Sequence, residues 1–363
     1  MSSKFDYTVV GAGLYGAVFA RIMAEQGRQV LILEKKNHIA GMCYTERRHG
    51  IDMHMFGPHC FHTDNTKVWD FVRRFGEFNS YQLRVKARYK DKIYSLPINL
   101  MTLHQIWGVC TPEEAKEKLK SIPKRNDASE NLESFIVNTF GEDVYRILFK
   151  GYTSKQWGRD PSMLPSFIVK RLPVRFNFDD RYHSHRFQGV PVQGYTALFE
   201  RMLDHPRIRV ELSADFMSDR HLKGKLVFTG NIDEFYDYRH GRLEYRSLRF
   251  EHETLEGDFQ GNAIINYTDE EVPWTRIVEH KHFNDPGTDK TVITREYPMK
   301  YEGEATPFYP INNDSNQSTY EKYKAENDGS VIFGGRLATY KYLDMHQVVG
   351  QAMADAEREL GLR

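Results

Sequence analysis

A glycine-rich turn near the N-terminus constrains the fold of this chain more than any other feature. The apolar run YTVV at residues 7–10 leads directly into GAGLYG at residues 11–16. This order predicts a buried strand, a tight turn and a helix. Gly11 permits the turn, Gly13 lets the backbone approach a pyrophosphate, and Gly16 lets the helix pack closely on the strand.

A carboxylate after the next apolar run points in the same direction. The run VLIL at residues 30–33 ends at Glu34, which lies about 20 residues beyond the turn, where a dinucleotide-binding fold accepts a ribose hydroxyl. The N-terminus of the intervening helix would present free N–H groups and a positive dipole to the phosphates. The pattern therefore predicts dinucleotide binding, with a purely structural glycine turn as the alternative, and it does not identify the dinucleotide.

Composition limits the classes of partner and compartment. The 363 residues carry 50 basic and 50 acidic side chains, so the charge balance favours neither nucleic acid nor an anionic membrane as a partner. No stretch approaches the ~20 apolar residues of a membrane-spanning helix, and no apolar signal region opens the chain. The three cysteines, Cys43, Cys60 and Cys110, form no CxxC pair, so we expect a reduced, cytoplasmic protein.

Periodicity along the chain predicts a mixed α/β architecture of two or three lobes. A hairpin is expected around residues 84–98, and helices are expected from about 100 to 164, where TPEE at residues 111–114 is typical of a helix start. Several strands are expected between residues 240 and 310. The stretch 171–195 has no clean period and is predicted to be a long loop.

A second strand-turn-helix pattern lies near the C-terminus. The run VIF at residues 331–333 precedes Gly334-Gly335-Arg336, and a helix with an apolar stripe begins at Asp344. Its N-terminal dipole would favour negative charge on the N1–C2=O edge of a reduced flavin. Ordinary capping by Asp344 is the alternative. Combined with the N-terminal turn, this pattern favours a flavin dinucleotide.

Residues 57–62, GPHCFH, contain two histidines and a cysteine after a rigid Gly-Pro turn. Metal binding is one interpretation, but His54, Cys60 and His62 lack the spacings of zinc ligands. His59 is then either a satisfied core histidine or a histidine packed on a cofactor ring, and the sequence leaves both open.

Two further segments could contact a ligand. GYTSKQWG at residues 151–158 contains Tyr152 and Trp157, which could stack on a nucleobase or belong to the core. Basic residues crowd the irregular loop and could bind a diphosphate, with a solvated charge run offset by Asp179 and Asp180 as the alternative. These basic residues are Lys170, Arg171, Arg175, Arg181 and Arg186. No Ser-His-Asp arrangement, P-loop or metal-binding helix motif is evident in the sequence.

Longer runs resemble one family. KGYTSKQWG at residues 150–158, KRLPVRF at 170–176, LEYRSL at 243–248 and FQGNA at 259–263 resemble bacterial UDP-galactopyranose mutases, and the likeness covers essentially the whole chain. The resemblance implies an FAD enzyme, an isomerase that converts UDP-galactopyranose to UDP-galactofuranose for cell-surface polysaccharide with no net redox change. In that family N5 of reduced FAD attacks the anomeric carbon and forms a covalent adduct, so no protein nucleophile is needed. An external reductant such as NAD(P)H and a homodimer are also implied.

The fold implied by the resemblance is α/β, with a Rossmann-like FAD-binding domain, an inserted helical-bundle domain and an antiparallel β-sheet domain. The FAD-binding domain is expected at residues 1–80, 196–240 and 328–363, the helical domain at 101–165, and the substrate-binding sheet domain at 81–100, 166–195 and 241–327.

The same resemblance implies roles for individual residues. The catalytic residues are Arg171 and Arg276 on the diphosphate and His59 beside the isoalloxazine. The substrate contacts are the same two arginines with Tyr152, Thr153, Trp157, Tyr182, Asn266, Tyr309 and Tyr342. The cofactor contacts are Gly11, Gly13, Leu14, Gly16, Glu34, Lys35, Gly41, Met42, His59, Cys60, Gly335, Arg336, Asp344 and Met345. No metal is implied.

Two positions depart from the family pattern. IAGM at residues 39–42 replaces the usual Ile-Gly-Gly-Asn, so Met42 removes an amide that could bond the cofactor, and Leu83 replaces a substrate-side asparagine. The alternatives among enzymes are a flavin oxidoreductase of the amine-oxidase type and a mutase for a related sugar such as UDP-N-acetylgalactosamine. A non-catalytic nucleotide-sugar-binding protein is the alternative outside enzymes.

Overall fold

The computed structural model of the chain describes residues 5–125, 131–170, 174–218, 220, 224–302 and 305–362. Its strands are β1 (Tyr7–Val10), β2 (Val30–Glu34), β3 (Thr45–Arg48), β4 (Ile51–His54), β5 (Phe61–Thr63), β6 (Val85–Tyr89), β7 (Lys92–Leu96), β8 (Phe187–Gly189), β9 (Ile208–Leu212), β10 (Lys225–Phe228), β11 (Tyr245–Glu256), β12 (Ile264–Tyr267), β13 (Arg276–Glu279), β14 (Lys290–Lys300), β15 (Tyr309–Pro310) and β16 (Val331–Phe333). Its helices are α1 (Leu14–Glu25), α2 (Thr66–Arg73), α3 (Leu100–Trp107), α4 (Pro112–Lys120), α5 (Leu132–Val144), α6 (Gly151–Trp157), α7 (Phe167–Lys170), α8 (Gly194–Leu203), α9 (Ile232–Phe235), α10 (Asp314–Ala325), α11 (Gly335–Ala338) and α12 (Met345–Glu359). Within these residues, no helix is both long and apolar enough to cross a bilayer.

Five of the described strands form a parallel sheet in the order β16-β10-β1-β2-β9. β1 lies at the centre and pairs with β10 on one side and β2 on the other. Helix α1 packs against α12 and α8. The predicted strand-turn-helix-strand is confirmed, because apolar runs such as YTVV have both faces buried in a covered parallel sheet.

Close packing explains the outer glycines of the turn. Gly11 has φ +103°, and a Cβ on it would overlap the Thr229 hydroxyl. A Cβ on Gly16 would overlap the Gly11 carbonyl oxygen and lie 3.0 Å from Cγ1 of Val9. These two glycines therefore allow α1 to lie directly on β1.

A second, mostly antiparallel sheet has the order β15-β11-β14-β13-β12-β6-β7. The predicted hairpin is confirmed as β6 and β7, which pair antiparallel from Val85↔Leu96 to Tyr89↔Lys92. The strands expected between residues 240 and 310 are confirmed, and the two long ones, β11 and β14, pair from Arg246↔Lys300 to Glu256↔Lys290. The far half of β11, EHETLE, is polar and largely exposed, so no apolar run in the sequence marks its end.

The helical region predicted from residue 100 to 164 is confirmed as α3 to α6 with short tighter or wider turns between them. Thr111 accepts a hydrogen bond from the Glu114 N–H at 3.2 Å, and Pro112 opens α4 as predicted. Gly141 interrupts α5 with φ +84°. The apolar faces of these helices form a core cluster of their own that also includes Tyr94 of β7.

Lys155 anchors α6 to the antiparallel sheet. Its ammonium donates hydrogen bonds to the carbonyl oxygens of Tyr267, Asp269, Val272 and Trp274, at 2.8, 2.6, 2.8 and 3.0 Å. These carbonyls all belong to the end of β12 and the loop that leads to β13. One side chain therefore satisfies the polar backbone of the turn that orients both strands.

Replacing Lys155 with Met should lower the free energy of unfolding by about 2–4 kcal/mol, because the substitution removes a charged donor from several partly buried carbonyls. Urea denaturation followed by circular dichroism measures the effect. The matched control is Lys150→Met, since Lys150 is exposed and forms an ion pair with the exposed Glu270 at 3.3 Å. That control should change stability by less than about 0.5 kcal/mol. Equal losses in the two variants would contradict the anchoring role of Lys155.

Candidate functional site

The N-terminus of α1 faces open space. Gly13 is the residue before α1, and it receives no side-chain cap, while the first turn holds no acidic residue. A Cβ on Gly13 would meet nothing within 4 Å, whereas a Cβ on Gly41 would lie 3.1 Å from the Gly13 Cα. The backbone of residues 11–16 and the segment around Gly41 thus form a cradle with room for a ligand at a helix N-terminus. This is the arrangement that binds phosphate groups.

Glu34 lies beside this cradle at the end of β2. Its Oε2 accepts the Ala12 N–H at 2.8 Å and its Oε1 accepts the Lys36 N–H at 2.9 Å. The residue is 6% exposed. Two backbone donors therefore fix the carboxylate, and each oxygen keeps a lone pair for a ligand hydroxyl. Lys35, which follows Glu34 directly, is exposed.

The segment that departs from the family pattern still crosses the glycine turn. The Ala40 N–H donates to the Ala12 carbonyl oxygen at 3.0 Å. Ala40 has φ +71° and Gly41 has φ +53°, so an alanine occupies a left-handed conformation that favours glycine. Met42 is half-buried in the short turn that follows. The backbone of residues 40–41 therefore packs across the glycine turn, although Ala40 and Met42 differ from the family pattern.

His59 is held by backbone contacts on both of its sides. Its N–H donates to Nδ1 of His54 at 2.9 Å, and its own Nδ1 lies 2.8 Å from the Gly57 carbonyl oxygen. That carbonyl requires the ring proton on Nδ1, which leaves Nε2 as an acceptor. Burial lowers the pKa of His59 to about 4, assisted by the positive charge of Arg336. The ring is therefore neutral at physiological pH.

Cys60 is not a reactive thiol, because burial raises its pKa to about 12. Neither His54 nor Cys60 belongs to a group of residues with metal-ligand geometry in the described part of the chain. The metal interpretation of His54, Cys60 and His62 as one set therefore finds no support.

The start of α12 lies near α11, the short helix that begins at Gly335. The Gly335 N–H donates to Oε1 of Gln351 at 3.1 Å, and Nε of Arg336 donates to the Leu343 carbonyl oxygen at 2.6 Å. Oε1 of Gln347 accepts the Asp344 N–H at 2.8 Å, so the side chain three residues into the helix caps its start. Met345 is buried. Side chains thus fix α11 and the start of α12 to each other.

A row of polar side chains crosses the antiparallel sheet. Asn266 of β12 pairs with Arg276 of β13, and Arg276 pairs with Glu296 of β14. Residues at paired positions share one face of a sheet. Nε of Arg276 lies 3.2 Å from Oε2 of Glu296, and Nη2 donates to the Tyr152 hydroxyl at 2.7 Å. The Asn266 amide oxygen is buried and has no hydrogen-bond partner in the described part of the chain.

Glu296 is the buried partner of this row, at 2% exposure. Burial raises the pKa of its carboxyl group, and the Arg276 guanidinium opposes that shift. Its Oε1 has no hydrogen-bond partner, and a Cβ on Gly57 would lie 3.3 Å from it. The contact with Glu296 is an ion pair in which Nε makes no hydrogen bond to the described residues, and Nη2 donates to Tyr152, so the guanidinium keeps donors with which it can bind an anion.

Other predicted substrate contacts surround the same guanidinium. Although burial opposes the shift, the hydroxyls of Tyr152, Tyr309 and Tyr182 lie close enough to raise the pKa of Arg276, which favours its charged form. The rings of Tyr309 and Tyr342 lie 5.6 Å apart, and the Arg336 guanidinium lies 4.8 Å from the Tyr342 ring centre. Burial raises the pKa of Tyr309, so its hydroxyl remains a neutral donor. Three tyrosines from separate segments thus lie around Arg276, and Tyr342 lies next to one of them, Tyr309.

The remaining predicted contacts are on α6 or in the loop before β8. Thr153 is buried, and Trp157 is partly buried and packs against the core of the helical region. Arg171 lies outside the described residues. In the loop, Arg181 pairs with Asp179 at 2.8 and 2.9 Å, and Arg175 donates to the Asp179 carbonyl oxygen at 3.1 Å. The alternative interpretation, a charge run that is offset by neighbouring acidic residues, therefore fits Arg175 and Arg181.

Sequence reasoning missed Glu296 and its closeness to Gly57. Glu296 is one of several acids in its strand, and only the register Arg276↔Glu296 distinguishes it. The Gly-Pro turn was noted, but its closeness to β14 follows from the tertiary fold. No signal in the single sequence could have paired the two.

Family models match two parts of the chain. The model described as UDP-galactopyranose mutase matches residues 147–342, and the model described as NAD(P)-binding Rossmann-like domain matches residues 9–75. The second match covers the glycine turn and Glu34. The first covers the polar row Asn266, Arg276 and Glu296.

Similar proteins extend the match over the full chain. The sequence is 42% identical to a dTDP-fucopyranose mutase of Escherichia coli, over 96% of this chain and 97% of that protein. It is also 42% identical to a probable UDP-galactopyranose mutase of Klebsiella pneumoniae, over 99% of this chain and 96% of that protein. The fold matches the crystal structure of a reduced UDP-galactopyranose mutase with a TM-score of 0.79 and 13% identity, covering 99% of this chain and 94% of that one.

Gly13 and Gly16 provide a matched pair of substitutions. Gly13→Ala has room for its Cβ, so the unfolding free energy of the apoprotein should stay within about 0.5 kcal/mol of the unmodified chain. FAD should nevertheless bind at least about tenfold more weakly, because the new methyl group occupies the phosphate cradle. Gly16→Ala should instead lower stability by about 1–3 kcal/mol through overpacking.

Thermal unfolding of the apoprotein and titration with FAD, followed by flavin fluorescence, distinguish the two effects. Unchanged FAD affinity in Gly13→Ala would show that the cradle does not hold the pyrophosphate.

Proposed function

The chain belongs to the UDP-galactopyranose mutase family, and on that basis we propose that it binds FAD and interconverts UDP-galactopyranose and UDP-galactofuranose while the flavin is reduced. The observation that carries the proposal is Arg276, a charged guanidinium with free donors, set among tyrosines and a buried amide at one face of the sheet. An anion such as a diphosphate is the ligand that this arrangement suits.

The cradle fits FAD. Its phosphates would lie at the N-terminus of α1 beside Gly13, and Glu34 would accept a ribose hydroxyl. Nearby residues predicted to contact the cofactor, Gly41, Met42, Gly335 and Arg336, lie on segments that are fixed to this turn or to α12. When bound and reduced, FAD would supply a nucleophilic N5 for the anomeric carbon, so the chain itself needs no nucleophile.

Arg276 would neutralise the diphosphate as it leaves the sugar. Its Nε and one Nη are already oriented by Glu296 and Tyr152, so little reorganisation is needed when charge develops on the leaving group. Arg171 is proposed as a second cation on the same diphosphate. Tyr309 and Tyr342 would donate hydrogen bonds to it, and Asn266 would use its unpartnered amide oxygen on the substrate side.

His59 would lie beside the flavin as a neutral ring. Because its Nδ1 proton is committed to the Gly57 carbonyl oxygen, Nε2 can accept a hydrogen bond but cannot donate one. A neutral acceptor of low basicity stabilises a neighbouring donor without adding charge to the site. We propose this positioning role for His59 rather than acid catalysis.

The nucleotide would bind near α6. Tyr152 is proposed to stack on the base, with Thr153, Trp157 and Tyr182 as further contacts to the uridine or the phosphates. The three expected domains, at the boundaries given above, would then enclose the substrate between the FAD-binding, helical and sheet domains. A homodimer, an external reductant such as NAD(P)H and a supply of galactofuranose for cell-surface polysaccharide complete the proposal.

A second substrate has a specific observation in its favour. The Escherichia coli relative is a dTDP-fucopyranose mutase. It is 42% identical to this chain, and so is the Klebsiella pneumoniae protein. Both substrates are nucleoside diphosphate hexoses, so the same arginine and tyrosines could serve either. Their bases differ by one methyl group, which changes binding by only about 1–3 kcal/mol.

The deciding experiment incubates FAD-loaded protein with UDP-galactofuranose, with and without dithionite, and separates the products by anion-exchange chromatography. We expect UDP-galactopyranose only in the reduced sample, since oxidised flavin has no nucleophilic N5. A parallel reaction with dTDP-fucofuranose ranks the two substrates by kcat/KM. Absence of a pyranose product from both reduced reactions would contradict the proposal and favour a non-catalytic nucleotide-sugar-binding protein.

A further inference from the structure

Four histidine side chains meet at one point of the fold. His62 lies on β5, His183 and His185 lie in the segment before β8, and His346 lies in the first turn of α12. The ring centre of His62 is 3.5 Å from that of His183, 4.8 Å from that of His185 and 4.9 Å from that of His346. We call these four residues the histidine cluster. It is separate from His54 and Cys60, which the sequence had suggested as partners of His62.

The geometry of the cluster is that of a set of metal ligands. One ligand atom from each of His62, Asp344 and His346 lies within 4.8 Å of the others. Nδ1 of His185 lies 2.6 Å from Nδ1 of His62, which places a third imidazole nitrogen, and a fourth ligand atom, beside this group. Around a tetrahedral ion with bonds of about 2.0–2.1 Å, ligand atoms lie about 3.3–3.4 Å apart. His62, Asp344 and His346 are therefore close enough to share one ion, and His185 would complete the set once its ring moves back from that of His62.

Unsatisfied polar atoms also point to a ligand. Nδ1 of His346 is shielded from solvent and has no hydrogen-bond partner among the residues that the structure describes. Buried polar atoms normally have a partner, so such an atom needs an explanation. His62 and His185 turn the same ring nitrogen toward each other, and a single shared proton is all that can join two neutral rings there. A cation between the rings would satisfy all of these nitrogens.

The surroundings support the ligand atoms. His62 is fixed in the β5–β8 ladder opposite Gln188. Nε2 of Gln188 donates to the carbonyl oxygens of His183 and His185 at 3.2 and 2.8 Å, which holds the backbone of that segment. Asp64 Oδ2 lies 3.8 Å from Nε2 of His185, the nitrogen opposite the one that faces His62. A carboxylate behind a ligating imidazole is the usual outer partner of a metal ligand.

We propose that His62, His185, His346 and Asp344 bind one divalent transition-metal ion of the Zn²⁺ type. Imidazole nitrogens with one carboxylate oxygen suit this class of ion better than Mg²⁺ or Ca²⁺, which prefer oxygen ligands. His183 stacks on His62 and orients its ring. The ion ties β5, the segment before β8 and the N-terminus of α12 together, and this role is independent of the sugar reaction.

Sequence spacing could not reveal this site, because its ligands come from three distant segments. The site uses the carboxylate of Asp344, so the contribution of α12 to a cofactor would come from its backbone N–H groups. The metal site and the cofactor site therefore use different atoms of the same helix N-terminus.

The test uses the untagged, FAD-loaded full chain, treated with a chelator and then dialysed against ZnCl₂ or CoCl₂. We expect about one ion per chain by elemental analysis, visible ligand-field absorption with Co²⁺, and a rise in melting temperature with Zn²⁺. His346→Gln and His185→Gln should each weaken Zn²⁺ binding at least about tenfold and remove the rise in melting temperature. Both side chains are only half-buried, and circular dichroism without metal verifies that each variant is folded.

The matched control is His205→Gln, at a histidine outside the cluster, in the turn before β9. It should bind Zn²⁺ as the unmodified chain does. Failure of the unmodified chain to retain Zn²⁺ or Co²⁺ after dialysis would overturn the proposal. So would undiminished binding in both His346→Gln and His185→Gln. The experiment measures metal binding and melting temperature and not mutase activity. Its outcomes therefore neither support nor contradict the proposed mutase function.

Discussion

The buried ion pair of Arg276 and Glu296 connects the main parts of the molecule. Arg276 and Glu296 lie on neighbouring strands of the antiparallel sheet, 3.2 Å apart at their closest polar atoms. Tyr152 reaches the pair from the helical region, and the turn at Gly57 approaches it from the chain that follows the parallel sheet. The side chain of Arg276 is 22% exposed and that of Glu296 only 2%, so removing Arg276 alone would leave the Glu296 carboxylate buried without its counter-ion.

The polar groups described at the candidate site position a ligand, and the proposed function assigns the nucleophile to the cofactor. The buried polar groups of the chain bind and orient: Glu34 is fixed by two backbone donors, His59 is held as a neutral acceptor, and Arg276 keeps donors for an anion. In cofactor enzymes the protein supplies position and electrostatics while the cofactor supplies the bond-making chemistry. The family to which the chain belongs is consistent with that division of labour.

Local features of the fold could be predicted from the sequence, and long-range ones could not. The turn GAGLYG, the hairpin of β6 and β7 and the start of α4 depend on residues close in sequence, and all were predicted. The polar half of β11, the pairing of Asn266 with Arg276 and Glu296, and the histidine cluster depend on strand register and chain packing. For Trp157 the sequence offered two roles, and partial burial against the helical core is compatible with both of them.

The central claim, that Arg276 is held ready for a diphosphate, is tested most directly by comparing UDP with uridine as ligands. The variant Arg276→Leu combined with Glu296→Gln removes the cation without leaving a buried unpaired carboxylate. Isothermal titration calorimetry on FAD-loaded protein should show UDP binding weakened by about 10–100-fold in this variant, with uridine affinity unchanged. Equal weakening of both ligands, or undiminished UDP binding, would contradict the account.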